Sequence, residues 1–524
     1  MSLDGEWEFG AGEAESLDRR IVVPFCPQSS LSGIGDPSPG EVVWYRRRFD
    51  GIEAQRLFLH FGAVDYRATV WVNGEEVARH EGGHTPFSAD ISRVAGRRGN
   101  VVVVRAEDPL ADRTIPRGKQ HWTSTPEGIF YTATTGIWQT VWLEPLPSRS
   151  IQGLRLTPDL DRGAIDIEVD ADGDVEAIAT FDGREVGRRK GSGSIILENA
   201  LAWSPETPHL YGLEVTLSHR GHVIDRVDSY FGLRKIEVHD GKLWLNGAPY
   251  VQRLVLDQGY FEGGLMTAPS DAHLRRDIEL ARAMGFNGAR KHQKVEDPRW
   301  LYWADRLGFL VWGEMANFHQ DSADARSRLK AEWAEAVRRD RDHPCIVAWV
   351  PMNESFGLGP SKAAFLEELH HLTRTLDPTR PLISNDGWEH TITDVCTLHD
   401  YATADVLRAR YRTIESTLEP AARPHPPYVT GYAYRGEPVV VSEFGGVALA
   451  GSGGTSYSEA DGAAGLLRAY REMVEALMAP GPVEGFCYTQ LADVEQERNG
   501  LLTSDREPKV DPALLRPITQ TPKG

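Results

Sequence analysis

The chain has 524 residues, 41% hydrophobic and 25% charged, so it is globular in composition and too long for one ordinary core. Its 57 Lys and Arg against 76 Asp and Glu leave a formal charge of −19, which argues against nucleic acid or an anionic membrane as partner. No run reaches transmembrane length and MSLDGEWEF has no leader-like apolar region, so a cytoplasmic location is expected.

Residues 1–147 read as short strands (42–49, 56–61, 68–72, 101–105, 138–143) broken by Gly, Pro and Asp, with Asn73-Gly74 as a hairpin turn. No helical period interrupts them, and a jelly-roll β-sandwich is expected. Residues 148–238 carry a second set of short runs with DADGD- and DGRE-type turns, which fits an immunoglobulin-like sandwich without a Cys pair, read as a spacer.

From 239 to 524 the period changes. Predicted strands at 251–256, 288–292, 309–312, 346–350, 382–385, 395–398, 439–442 and 486–490 alternate with helical stretches at 271–284, 298–307, 327–339, 361–376 and 463–478. Ser270 is placed to cap the first of these helices. Eight strands with crossover helices predict a (β/α)8 barrel. Cys26, Cys345, Cys396 and Cys487 follow no CxxC spacing, and three fall in or beside barrel strands, so they read as reduced core thiols.

Barrel enzymes keep their chemistry at the C-terminal ends of the strands. The run 344–357 delivers Asn353 and Glu354 just past a buried strand, and 438–442 runs straight into Glu443. Two carboxylates on two strand ends are what glycosidic hydrolysis needs: one to protonate the leaving oxygen, one on the other side of the anomeric carbon. Asn353 could hold a sugar 2-hydroxyl, or cap the next helix. The other strand ends gather Arg290, His292, Trp312, Glu314, Asp386, Trp388, His399, Asp400, Tyr401 and Tyr488 as candidate substrate-binding residues. An Arg beside a carboxylate would keep it ionised, and a Tyr could hydrogen-bond it. His292, His399 and Glu314 could bind a metal, but no HExxH-type spacing supports it. No metal and no organic cofactor are expected.

The chain resembles the family 2 glycoside hydrolases over nearly its whole length. SLDGEWEF (2–9), WYRRRF (44–49), WVNGEEV (71–77) and TGIWQTVWLE (135–144) are similar to the family's first sandwich, and LAWSPETPHLY (201–211) and YFGLRKIEV (230–238) to its middle one. In the barrel, GFNGARKHQKVEDPRWLYWADRLGFLVWGEM is similar to a long family block. The motif at Asn353-Glu354 matches the family's acid/base, and Ser442-Glu443-Phe444-Gly445 its nucleophile. The resemblance implies a retaining, exo-acting β-glycosidase acting on a small carbohydrate or glycoside.

Three departures bear on the sugar. Gln293 stands where an aromatic often follows the family's His, Tyr488 stands where the family carries Trp, and Glu497-Arg498-Asn499 replaces the Asn-Lys-Lys grip of the β-glucuronidases. A Glu there would repel a substrate carboxylate, although Arg498 or Lys294 could serve as another clamp. A β-galactoside is therefore the first expectation, with β-glucuronide, β-mannoside and α-L-arabinoside open. Also open are a non-catalytic carbohydrate-binding protein, an oligosaccharide-specific or sugar-transferring enzyme, and a homo-oligomer completing the site.

Overall fold

The computed structural model describes residues 1–13, 16–355 and 358–524, which form two β-sandwiches followed by a barrel. Phe356 and Gly357, at the end of the run 344–357, lie outside the described residues. In the first sandwich, a six-stranded antiparallel sheet built on Gly5–Ala11, Val42–Phe49, Asn100–Glu107 and Arg67–Val72 shares its core with a three-stranded sheet of Val141–Leu146, Arg56–Phe61 and Phe87–Asp90. Period-2 alternation explains the packing: Arg56–Phe61 buries Leu57, Leu59 and Phe61 and leaves the residues between partly exposed. Asn73 (φ 53) and Gly74 (φ 86) link Arg67–Val72 to Glu75–Glu81 in the left-handed backbone that tight hairpins require.

The second sandwich packs Gly153–Asp159, Ala164–Asp170 and Gly193–Ile196 against a four-stranded sheet centred on Asp174–Phe181 and Tyr211–His219. It does more than space its neighbours. Arg234, just beyond its last strand, donates through Nε to the Pro344 carbonyl at 3.1 Å and through Nη2 to the Ile346 carbonyl at 3.0 Å. Arg380 adds a bond from Nε to the same Ile346 carbonyl at 2.8 Å. The strand that ends near Glu354 is thus held at its start by a residue of the preceding sandwich, although burial lowers the Arg234 guanidinium to about 9.

In the barrel, seven strands pair in parallel: Ile346–Val350, Leu310–Glu314, Gly288–Lys291, Gln252–Asp257, Val483–Thr489, Val439–Gly445 and Cys396–His399 in spatial order. Residues 382–385, expected as a strand, form none. Isolated parallel bridges at Leu382 and Asp386 fill the place, with Trp349 N–H donating to the Pro381 carbonyl and Ile383 N–H to the Trp349 carbonyl, both at 3.0 Å. Side chains replace the ladder on the other edge: Leu382 N–H bonds the Asp394 carboxylate at 2.6 Å and Ser384 N–H bonds Thr393 Oγ1 at 3.3 Å. Ser270 occupies the N-cap of Asp271–Ala283 but makes no capping bond, and its hydroxyl pairs with His273 Nδ1 at 2.8 Å instead. The next long helix starts earlier than predicted, at Ala323–Asp340, because Ser322 accepts from Ala325 N–H. All four cysteines are free and buried. Among the described residues no helix is long and apolar enough to cross a membrane.

Candidate active site

The strand Ile346–Val350 is wholly buried and hands on to Asn353 and Glu354 at the C-terminal rim. There the backbone turns sharply: Glu354 (φ 59) and Ser355 (φ 47) are both left-handed, which costs a non-glycine residue roughly 1–3 kcal/mol. Four bonds over-determine the turn. Asn317 grips Asn353 twice, Nδ2 donating to its carbonyl at 2.6 Å and Oδ1 accepting from its N–H at 3.1 Å. Glu354 N–H donates to the Asp386 carbonyl at 2.9 Å, and the Trp388 indole donates to the Glu354 carbonyl at 2.7 Å. The Asn353 side-chain oxygen is buried with no partner among the described residues.

Glu443 lies within Val439–Gly445, fully buried along its length. Arg290, wholly shielded from solvent on the second strand, bonds Glu443 through Nη2 and pairs with Asp386 through Nη1. Its Nε lies 3.4 Å from Glu314, and Nη2 also donates to His292 Nδ1 at 2.8 Å. Tyr401 donates to the other Glu443 oxygen at 2.5 Å and stacks on Tyr457 with ring centroids 3.4 Å apart. His399 joins the halves: Nδ1 is 2.6 Å from Glu354 and 3.4 Å from Glu443, and Nε2 is 2.8 Å from Asp386. One carboxylate oxygen of Glu354 and one of Glu443 consequently lie within 4.8 Å of each other.

Burial pushes the Glu443 carboxyl upward, but His399, Arg290 and the Tyr401 hydroxyl outweigh it and hold the group well below the usual carboxylate range. Glu314 behaves oppositely. Burial raises it to about 7, more than the Arg290 charge lowers it. Its folded pKa thus exceeds the unfolded value, so from about pH 4.5 to 7 the folded chain keeps a proton that the unfolded chain has released, and stability falls as pH rises through that window. The stability of Glu314→Gln relative to the unaltered chain is expected to climb between pH 5 and 7 and then level off in thermal melts. A constant difference would show that Glu314 ionises as easily in the fold as out of it.

Not every predicted site residue reaches this cluster. The Trp312 indole bonds Gln252 Oε1 at 2.7 Å, and Gln252 begins the first strand, so the ring lies deep in the barrel interior. Tyr488 packs edge-on against Phe444 and against Tyr470 of the helix Gly462–Met478, which puts it on the outer face of its strand. Cys487 faces inward instead, close enough to Arg290 and Glu443 for their charges to act on its thiol. His292 and Glu314 sit behind Arg290, 3.0 Å apart.

Tyr457 and several residues of the first sandwich were absent from the sequence reading. A cavity of about 520 Å³ opens beside Glu354, walled by Trp388, His399, Tyr401, Tyr457 and, from the first sandwich, Ile129. The same loop of that sandwich brings Arg117 and Gly118, whose N–H groups both donate to the Asn317 carbonyl at 2.9 Å, and Tyr131, whose hydroxyl donates to Glu497 at 2.5 Å. Asn499 Nδ2 also donates to Glu497, at 3.0 Å. Among the described residues, Glu354, His399 and Glu443 have donor atoms close enough to hold a cation, as do Asp305, His343 and Cys345; in the first group the Arg290 guanidinium already lies on Glu443.

Family models described as the TIM barrel domain of glycosyl hydrolases family 2, glycosyl hydrolases family 2, and the galactose-binding domain-like part of glycosyl hydrolase 2 match residues 236–463, 150–234 and 40–134. A β-glucuronidase of Canis lupus familiaris is 26% identical over 550 residues, covering 90% of this chain and 80% of that protein. A β-galactosidase of Thermoanaerobacter pseudethanolicus is 27% identical over 379 residues, covering 65% of this chain and 48% of that protein, so the chain matches about half of its length. Among solved structures, the β-glucuronidase from Ruminococcus gnavus in complex with D-glucuronic acid superposes with a TM-score of 0.85 at 21% identity, covering 99% of this chain and 97% of that one. That superposition shows the shared fold of two sandwiches and a barrel.

Proposed function

The chain belongs to glycoside hydrolase family 2, and on that premise we propose that it is a retaining, exo-acting β-glycosidase using Glu354 and Glu443. The observation that carries the reading is the pair of carboxylate oxygens within 4.8 Å of each other. Retaining enzymes place their carboxyl groups about 5–5.5 Å apart, while inverting ones need roughly 6.5–9.5 Å to admit a water. Glu443, held ionised by its neighbours, attacks the anomeric carbon and forms an ester while Glu354 gives its proton to the departing oxygen. Glu354, now a carboxylate, takes a proton from water; the water oxygen bonds to the anomeric carbon, and Glu443 leaves as a carboxylate. The Asn353 oxygen, buried and without a partner among the described residues, would accept from a sugar hydroxyl.

A terminal β-galactoside is the first substrate we propose. Glu497, close enough to Glu443 for their charges to interact, accepts from Tyr131 and Asn499 and suits hydroxyls better than a uronate carboxylate. A β-glucuronide is the second reading. Burial raises the Glu497 carboxyl against the nearby charge of buried Lys119, which could pair with a uronate; relatives named β-glucuronidase favour it as well. A panel of p-nitrophenyl β- and α-glycosides, run with the unaltered chain and Glu443→Gly, tests both. Cleavage of one β-glycoside, lost in the variant, is expected. Undiminished turnover by Glu443→Gly would overturn the assignment.

Glu354→Gln separates the acid role from general damage. A positioned general acid contributes about 10²–10⁴-fold, so a loss in that range is expected on alkyl glycosides, whose leaving groups need a proton. The glycosylation step on a 2,4-dinitrophenyl glycoside, whose leaving group needs none, should lose far less. Equal losses on both would remove Glu354 from the acid role.

A further inference from the structure

The cavity beside Glu354 has a charged far wall that hydrolysis of a neutral glycoside does not use. Arg410, at the end of the helix Ala404–Arg410, and Arg423 both line it. They share a single carboxylate oxygen, Asp400 Oδ2, which Arg410 meets through Nη1 and Arg423 at 3.4 Å. Tyr411 donates to the same oxygen at 3.0 Å. Arg423 is otherwise occupied, its Nε and Nη2 donating to the Thr417 carbonyl at 3.2 and 3.1 Å. Arg410 is less so: among the described residues Asp400 is its one side-chain partner, met through Nη1, and the guanidinium lines the cavity. Two permanent positive charges against one negative charge leave this end of the cavity cationic, in a partly dry setting where a guanidinium binds a carboxylate by two parallel bonds.

Position fixes which part of a substrate would meet it. The cavity wall includes Glu354, the group that faces the departing oxygen, and Trp388, which stacks on His425 at 4.4 Å on the way to the arginines. We propose that Arg410, with Arg423 behind it, forms an anion subsite on the leaving-group side, so that the enzyme releases its terminal sugar from an acceptor bearing a carboxylate, such as a uronic acid residue. This rests on the assignment of Glu354 as the acid and does not depend on which sugar is transferred.

The test uses the sugar that the glycoside panel identifies, carried on 3-hydroxybenzoate and on its uncharged partner 3-hydroxybenzamide. A charge-assisted contact of this kind corresponds to about a tenfold preference in kcat/KM for the benzoate. Arg410→Gln is expected to bring the ratio of the two to about one. Arg410→Lys, which keeps the charge, should restore most of it, and salt should reduce the preference of the unaltered chain. A ratio near one in the unaltered chain, or the same ratio in Arg410→Gln, would overturn the subsite. If no aryl glycoside is cleaved, the reading of an enzyme for simple glycosides fails, and an oligosaccharide-specific one is left. The subsite is then decided by ligand-observed NMR with free 3-hydroxybenzoate and 3-hydroxybenzamide, where benzoate-selective binding lost in Arg410→Gln supports it and its absence refutes it.

Discussion

Glu443→Gln is expected to lower kcat/KM on the preferred β-glycoside by at least about 10⁴-fold, equivalent to about 5.5 kcal/mol of lost transition-state stabilisation. The substitution keeps the shape of the side chain and removes the charge that attacks the anomeric carbon. It also leaves the Arg290 charge paired with Asp386, with the Glu314 carboxyl beside it, so the barrel should stay folded. Circular dichroism and melting temperature near those of the unaltered chain should accompany the lost activity. The acid limb of the pH profile points the same way. Because Glu443 sits well below the usual carboxylate range, it is ionised throughout pH 5–8, and any loss of kcat/KM across that window belongs to another group. A variant with more than a few per cent of normal activity would deny Glu443 the role of nucleophile.

Arg290→Met is expected to do the larger damage to the fold. Arg290 is 0% exposed and is the shared counter-ion of Glu314, Asp386 and Glu443. Removing it leaves three buried carboxyl groups facing one another, with the His399 ring 2.8 Å from Asp386 and 3.4 Å from Glu443. Breaking a buried pair by deleting one member costs about 3–5 kcal/mol, and here several pairs are broken together. A melting temperature lower by roughly 10 °C is expected, together with loss of detectable turnover. The pH dependence should invert: the carboxylates would take up protons on folding, so the variant should be less unstable at pH 5 than at pH 8. A variant that melts with the unaltered chain would show that solvent or rearrangement supplies the missing charge.

The parts of the site read most directly from sequence were those set by burial on both faces. Parallel barrel strands are covered on either side, so Ile346–Val350 and Val439–Gly445 stand out as apolar runs ending in a carboxylate. The same rule cannot find residues 382–386, whose backbone bonds are completed by the side chains of Thr393 and Asp394 rather than by a strand on each side. Strand parity misled at the eighth strand. Cys487 and Tyr488 are neighbours, a one-residue choice decides which faces the barrel interior, and the aromatic one faces the helix Gly462–Met478. Trp312 shows a different limit: facing inward does not place a ring at the rim, and Gln252 holds this one low in the barrel.

Contacts that join distant segments left no local sign. Asn317 fixes the turn at Asn353 and is itself held by N–H groups two hundred residues away in the first sandwich, at Arg117 and Gly118. The expectation of a spacer for residues 148–238 missed the brace within it for the same reason, since Arg234 reaches a strand more than a hundred residues further on. Loops of this kind carry the features that distinguish one sugar from its epimer, so the chemistry of the site was legible before its specificity.

The central claim, a covalent glycosyl-enzyme on Glu443, is tested most directly by trapping it. A 2-deoxy-2-fluoro glycoside of the preferred sugar with a good leaving group slows both steps, the second more than the first, and the enzyme is then digested and its peptides weighed. The expected result is one added fluorosugar on the peptide containing Val439–Gly445, fragmenting to Glu443. An adduct on any other residue, or an α-configured first product from the unmodified β-glycoside with no adduct at all, would contradict it.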